Sequence, residues 1–358
     1  MKKLTNDLKK KLRKEKTPQT PISAEDLLST GATQLDLACS GKLSGGFPKG
    51  KYVLLVGDSE SGKTWFSMSC LAEACHNPYF NNYRLVHIDS EDGASMDKAE
   101  YFGRALERRL EIVDPPPTTV EEFYDLMDDL QKDGRPFIAV LDSENALSAQ
   151  ADLAKIEKQK KARRENEKEA GNYGTEKARV HSQRLRVIRN RLRKTKSILI
   201  IISQTRQNIG FGSMFEPKSR SGGTALKFFA DLELWTSVVK KLKSPKIRGK
   251  EHEIGMTTKI KIKKNRITGK KPSVEVDFYH NTGIDDTGSM VKYLTMNEQW
   301  KTIKGVIDAK DLGVKLPFEK LVNWIEATDN EPKLRKLVRE VWKDIESRTA
   351  VKRKRRYA

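Results

Sequence analysis

The stretch YVLLVGDSESGKTWFSMSCLAEAC, Tyr52 to Cys75, holds three textures in succession: an apolar run, a polar turn with two glycines, and a segment of helical spacing. The turn GDSESGKT fits the pattern GxxxxGK[ST], and a strand before it with a helix after it is the context in which that pattern binds phosphate. Gly57 and Gly62 let the backbone turn so that the amides of Asp58, Ser59, Glu60 and Ser61 face inward, and the start of the helix adds partial positive charge. Lys63 is placed to reach the outer phosphates. The Thr64 hydroxyl is suited to completing the coordination of Mg2+.

Working outward, RLVHID (Arg84 to Asp89), FIAVLD (Phe137 to Asp142) and SILIIIS (Ser197 to Ser203) are further continuous apolar runs, with helical segments such as Val120 to Lys132 between them. Strands apolar on both faces and separated by helices predict a parallel α/β sheet. LELWTSV, TTKIKIK and VEVDFY are short and closely spaced, which predicts an antiparallel extension at the sheet edge. Leu185, Ile188 and Leu192 recur at helical spacing among arginines and predict an amphipathic helix docked on the sheet. Met1 to Lys16 reads as a basic amphipathic helix and TPQTP as a linker that cannot continue it. Ala151 to Ala170 reads as an exposed helix or a mobile arm. PFEKLVNWIEA and LRKLVREVWKDIE predict two C-terminal helices.

The chain has 358 residues, 37% of them hydrophobic and 33% charged, with net charge +20. Lys177 to Lys196 carries nine basic and no acidic residues, and Lys240 to Pro272 thirteen basic and two acidic. Several such runs, together with the tail VKRKRRYA, favour a polyanionic partner, with nucleic acid the first candidate. No apolar run is long enough to span a membrane, and the N-terminus lacks the apolar core of a secretory signal. Cys39, Cys70 and Cys75 are odd in number and lack CxxC spacing, which predicts reduced, half-buried thiols in an intracellular, cytoplasmic protein, with no metal site.

The chemistry gathers at strand ends. Asp142 and Ser143 end FIAVLDS, and an acid there can hold the water shell of magnesium. RLVHIDSED ends in Asp89, Glu91 and Asp92, and hydrolysis of a phosphoanhydride needs one carboxylate to orient water. Glu91 is the preferred candidate, although the residues alone leave all three open. After SILIIISQ comes a long loop with glycines, two phenylalanines and basic residues, Asn208 to Lys227. Loops of that length are usually functional or disordered.

LLSTGATQLDLACSGKLSGGFPKGKYVLLVGDSESGKT resembles the start of the RecA recombinase core, HIDSED its second-strand motif, and IIISQTRQNIGFG with SGGTALKFFA its last core strand, second DNA loop and following helix. The resemblance covers roughly Leu28 to Tyr293. It implies a RecA-like P-loop ATPase core with a mainly parallel sheet, an antiparallel edge extension, a short N-terminal helix and a small helical C-terminal unit. It places the catalytic glutamate on Glu91 and the γ-phosphate-sensing glutamine on Gln204. The two lysines that act across subunits fall on Lys264 and Arg266, the latter keeping the charge with altered geometry. The second DNA loop and its flanks contribute Arg206, Asn208, Gly210, Phe211, Gly212, Phe215, Lys218, Arg220, Gly222 and Gly223. The first is expected near Glu169 to Thr175, with Gly171, Asn172 and, beyond it, Arg179. The adenine-stacking tyrosine of the family falls on Lys98, with Tyr101 nearby.

The function so implied is an ATP- and Mg2+-dependent, DNA-stimulated ATPase that forms helical filaments on single-stranded DNA and exchanges strands with a homologous duplex. Single-strand-binding and loader proteins are candidate accessory partners. The expected division is residues 1–27 as a subunit-contact helix and linker, 28–296 as the core, and 297–358 as the C-terminal unit. That last unit looks closer to phage UvsX-type recombinases. A RecA-like ring helicase core, a recombination mediator without strand exchange, and a non-catalytic DNA-coating protein are the alternatives.

Overall fold

Four apolar runs form the centre of one sheet. The computed structural model describes residues 22–91, 93, 96–164, 175–207, 218–220 and 223–353. The expected N-terminal helix and the TPQTP linker lie outside them.

The chain begins with β1 (Leu27–Leu28), α1 (Thr33–Ser40) and β2 (Phe47–Pro48), and enters the phosphate-loop unit through β3 (Tyr52–Gly57) and α2 (Lys63–His76). Then come β4 (Arg84–Asp89), α3 (Lys98–Phe102), α4 (Arg104–Arg109), β5 (Leu110–Ile112), α5 (Val120–Lys132) and β6 (Phe137–Asp142). Two charged helices, α6 (Gln150–Arg164) and α7 (Thr175–Thr195), precede β7 (Ile198–Gln207), β8 (Lys218–Arg220) and α8 (Gly223–Phe229). The antiparallel part is β9 (Leu232–Lys243), β10 (Glu253–Asn265), β11 (Ser273–Tyr279) and β12 (Gly283–Asp285). The chain ends with α9 (Asp286–Met296), β13 (Lys301–Ile303), β14 (Val306–Ala309), β15 (Val314–Pro317), α10 (Phe318–Ala327) and α11 (Glu331–Thr349).

The large sheet runs β12-β11-β10-β9-β3-β7-β6-β4-β5, with β8 paired to β7. From β9 to β5 the neighbours are parallel. From β9 to β12 they are antiparallel, so LELWTSV is the strand at which the sheet changes sense. The crossovers explain the composition. Val53 and Leu55 face one core while Tyr52, Leu54 and Val56 face the other, and all are buried. A strand covered on both faces has no position for a polar side chain.

Helix α5 starts with a full capping box: Thr119 Oγ1 accepts from the Glu122 amide, and Glu122 accepts from the Thr119 amide. Its apolar stripe and that of α7, with Leu185, Ile188 and Leu192 buried, cover the same face of the sheet. Arg189 of α7 pairs with buried Asp231 at 2.8 Å, fixing the helix to the start of β9.

Two differences from the sequence expectation matter. The strand SILIIIS continues to Gln207 and pairs with β8, with Thr205 opposite Arg220, so the expected loop span, Asn208 to Lys227, holds a strand and the start of α8, while residues 208–217 and 221–222 lie outside the described residues. Thr205, Arg206 and Gln207 lack the apolar texture by which a buried strand is read. The C-terminal unit also holds the three-stranded antiparallel sheet β13-β14-β15 ahead of its two helices. Its strands are three or four residues long, too short to show a period. That unit has its own core, in which Trp300, Leu321, Ile325 and Val338 pack on α9 and on Leu37.

Candidate functional site

The parallel register sets residues of five strands beside the phosphate loop. Gly57 lies opposite Gln204 on one side and Thr236 on the other, while Asp89 lies opposite Asp142. Beside these strand ends lies one cavity of about 590 Å³, whose wall includes Lys63, Thr64, Trp65, Glu91, Met96 and Asp142.

Gly57 has no room for a side chain: a Cβ there would lie 2.0 Å from Thr236 Oγ1 and 2.6 Å from Ser61 Oγ. Those two hydroxyls hydrogen-bond to each other at 2.7 Å, and the Ser61 hydroxyl also donates to the Asp58 carbonyl at 2.7 Å. With Gly62 at φ 84°, this clasp closes the loop and launches α2 with its first amides unpaired toward the cavity. Lys63 Nζ donates to the Asp58 carbonyl at 2.6 Å, and burial pushes its pKa down. A second anchor was not foreseen: Thr205 Oγ1 donates to Asp58 Oδ1, joining the hairpin to the phosphate loop.

Thr64 Oγ1 donates to Asp142 Oδ2 at 2.5 Å. Burial pushes the Asp142 carboxyl up to about 6; the Thr64 hydrogen bond opposes that shift and the charges of Glu91 and Asp89 add to it. A hydroxyl and a carboxylate are the hard oxygen donors that magnesium takes. No group of three or more candidate metal-binding side chains occurs among the described residues.

Glu91 follows β4, outside the sheet. Its Oε1 accepts from Gln204 Nε2 at 2.9 Å and from the Ser143 hydroxyl. Asn145 Oδ1 accepts from the Gln204 amide at 2.7 Å. Asp89 lines the same cavity and accepts from the Gly93 amide at 3.3 Å, whereas Asp92 lies outside the described residues. Of the two described acids, Glu91 is the one joined to Gln204.

Lys98 and Tyr101 do not line the cavity. The Tyr101 ring packs edge-on against Trp65, with centroids 5.1 Å apart, so Trp65 and Met96 form the apolar wall instead. Trp65 directly follows the GKT triplet, and its place in the first helical turn was the one available signal.

Lys264 and Arg266 lie at the other end of the sheet. Lys264 Nζ donates to the carbonyls of Lys227 and Phe228 at 2.6 and 2.8 Å, and Arg266 to that of Phe228 at 3.2 Å, so both hold the end of α8. Lys264 pairs with Glu233, three positions before Thr236 along β9, which is about 10 Å from the phosphate loop along the strands. Neither cation lines this chain's own cavity. Burial, and then the charge of Arg266, lowers the pKa of Lys264 to about 8.

Arg179 is exposed on α7 and pairs with Glu176 at 2.8 Å. Gly223, at φ 72°, opens α8, where a Cβ would press on Ala178. Arg206, Lys218 and Arg220 lie on the paired strands of the hairpin. Gly171, Asn172, Asn208, Gly210, Phe211, Gly212, Phe215 and Gly222 lie outside the described residues.

Residues 11–285 match the RecA N-terminal domain family. Over 272 residues the chain is 30% identical to Protein RecA of Desulforapulum autotrophicum, covering 75% of this chain and 70% of the relative. It is 31% identical over 266 residues to Protein RecA of Enterococcus faecalis, covering 74% and 68%. Protein RecA of Helicobacter pylori is 30% identical over 272 residues, covering 75% and 70%. The chain belongs to the RecA family: it is a RecA-type recombinase and a DNA-dependent ATPase.

Proposed function

We propose that the cavity above the phosphate loop binds ATP with Mg2+, and that nucleotide state is passed through Gln204 to the hairpin that carries the DNA contacts. The observation that carries this reading is the hydrogen bond from Gln204 to Glu91 at the rim of the cavity. In the reading, the loop amides and Lys63 hold the phosphates, while Thr64 and Asp142 hold Mg2+, which neutralises phosphate charge. Glu91 orients and deprotonates the attacking water. A γ-phosphate that takes up the Gln204 amide frees Glu91 for that task and moves the end of β7.

The paired strands of the hairpin begin with Thr205, directly after Gln204. Its basic residues contact the DNA backbone and its phenylalanines meet the bases, as suits single strands. The first DNA loop, with Gly171, Asn172 and Arg179, adds to the same groove. Lys264 and Arg266 face the γ-phosphate of a neighbouring subunit, since their own chain's phosphate loop is at the far end of the sheet. Subunits stack into a helical filament on single-stranded DNA in the cytoplasm and exchange strands with a homologous duplex, with single-strand-binding and loader proteins assisting. Residues 1–27, 28–296 and 297–358 divide this work into subunit contact, core and C-terminal unit.

Electron microscopy with single-stranded DNA and a slowly hydrolysed ATP analogue tests the assembly. Continuous nucleotide-dependent filaments are expected; closed rings would replace this reading with a ring helicase core.

A further inference from the structure

Directly after Asp142 the chain makes a single helical turn, Glu144 to Ala146, whose neighbours hold both catalytic candidates. The Ser143 hydroxyl grips Glu91, and the Asn145 side chain grips the backbone of Gln204. Behind the turn lies a buried ionic cluster. Lys177, in the first turns of α7, donates to the carbonyls of Glu144 and Leu147 at 2.6 and 2.7 Å and pairs with Glu144 Oε1 at 2.9 Å. An ammonium has three N–H groups, and all three acceptors here come from one short turn. His181 Nε2 lies 3.2 Å from the same carboxylate oxygen, and His181 Nδ1 lies 2.7 Å from the Tyr124 hydroxyl on α5. Glu144 and His181 are fully buried, and Glu144 Oε2 has no hydrogen-bond partner.

Stability alone does not account for such a cluster. Replacing a buried ion pair with packed apolar side chains is often neutral or stabilising, because two charges no longer have to leave water. Fixed direction is what the cluster supplies and an apolar plug cannot. Three acceptors at set angles leave the turn one position relative to α7.

We infer that Lys177, Glu144 and His181 are positioning residues for the hydrolytic step, clamping the turn that sets where Glu91 and Gln204 stand. This rests on the roles proposed above for Glu91 and Gln204. The clamp also makes α7 a lever. From Lys177 to its end at Thr195 the helix carries eight basic and no acidic residues, and the run starts with Lys177 itself. A polyanion drawn to that run acts on the turn through one side chain.

The test uses the full chain with Lys177→Met, Glu144→Gln and the double variant. It follows DNA-stimulated ATP turnover, equilibrium binding of a fluorescent ADP analogue, and the thermal midpoint. In Lys177→Met we expect kcat to fall about tenfold or more while KM and the ADP Kd stay within about twofold, since only placement in the transition state is lost. The double variant should be no slower than the slower single variant, because both remove one clamp. Unchanged kcat would overturn the inference, and so would a fall in kcat that tracks loss of the folded fraction. If Lys177→Met does not fold, Glu144→Gln carries the test alone, since it keeps the shape of the turn but removes the charge that Lys177 and His181 hold, and unchanged kcat there overturns the inference. Glu91→Gln is the control. Normal turnover in that variant would sink the role of Glu91 and the inference with it; normal turnover in Lys177→Met alone would sink only the inference.

Discussion

Gln204 Nε2 donates to Glu91 Oε1 across 2.9 Å, so one hydrogen bond joins the strand that leads into the hairpin to the acid that follows β4. A carboxylate held in this way is oriented but occupied. In the Glu91→Gln variant we expect turnover to fall by about 10²- to 10⁴-fold, the usual worth of a positioned general base. Nucleotide affinity should stay within about twofold, because Glu91 is not part of the phosphate loop. Single-turnover hydrolysis together with equilibrium binding measures both; normal hydrolysis would move the role to Asp89 or Asp92.

Lys264 predicts a pH dependence. Its pKa is lowered to about 8, chiefly by burial, so the folded protein holds this proton less tightly than the unfolded chain does. The associated stability is present above the ordinary lysine range and is lost as pH falls through about 8, where the folded protein must carry the charge. Activity should run the other way. DNA-stimulated turnover should decline as pH rises through 8, and Lys264→Arg, which cannot lose its charge there, should flatten that decline. A profile identical in parent and variant would remove Lys264 from the reaction.

Gly57→Ala tests the clasp. A methyl group 2.0 Å from Thr236 Oγ1 has to push β9 away or break the Ser61–Thr236 bond. The expected cost is about 1–3 kcal/mol or more, typical of overpacking, with nucleotide binding lost as well. Denaturant unfolding and nucleotide titration report the two effects. Normal binding would show that the loop does not need the clasp.

DNA affinity should fall steeply with salt, since each neutralised phosphate of a single strand contributes about −0.7 to the slope of log K against log salt. Titrations at several salt concentrations give that slope. A flat response would count against contacts that follow the backbone.

The strands adjoining the phosphate loop were legible because burial on both faces leaves a continuous apolar signature, as in Phe137 to Leu141. Lys63, Thr64 and Asp142 were legible because local spacing and strand ends carry them. The link from Glu91 to Gln204 spans 113 residues, and that from Ser61 to Thr236 spans 175; neither leaves a local pattern. Only resemblance pointed to the first, and nothing pointed to the second. The Lys177 cluster was hidden for another reason. A lysine in a basic run reads as solvated surface, and only packing reveals that this one faces inward.

The separation of the phosphate loop from Lys264 and Arg266 along the strands has a consequence for counting. If every working centre takes its loop from one subunit and its cations from the next, an open stack of subunits always has one fewer centre than it has members. The shortest competent unit is a pair, and the subunit at one end of every stack is idle. Two variants, one lacking Lys63 and the other lacking both distant cations, would then restore activity when mixed, at the junctions where an intact half of each kind meets.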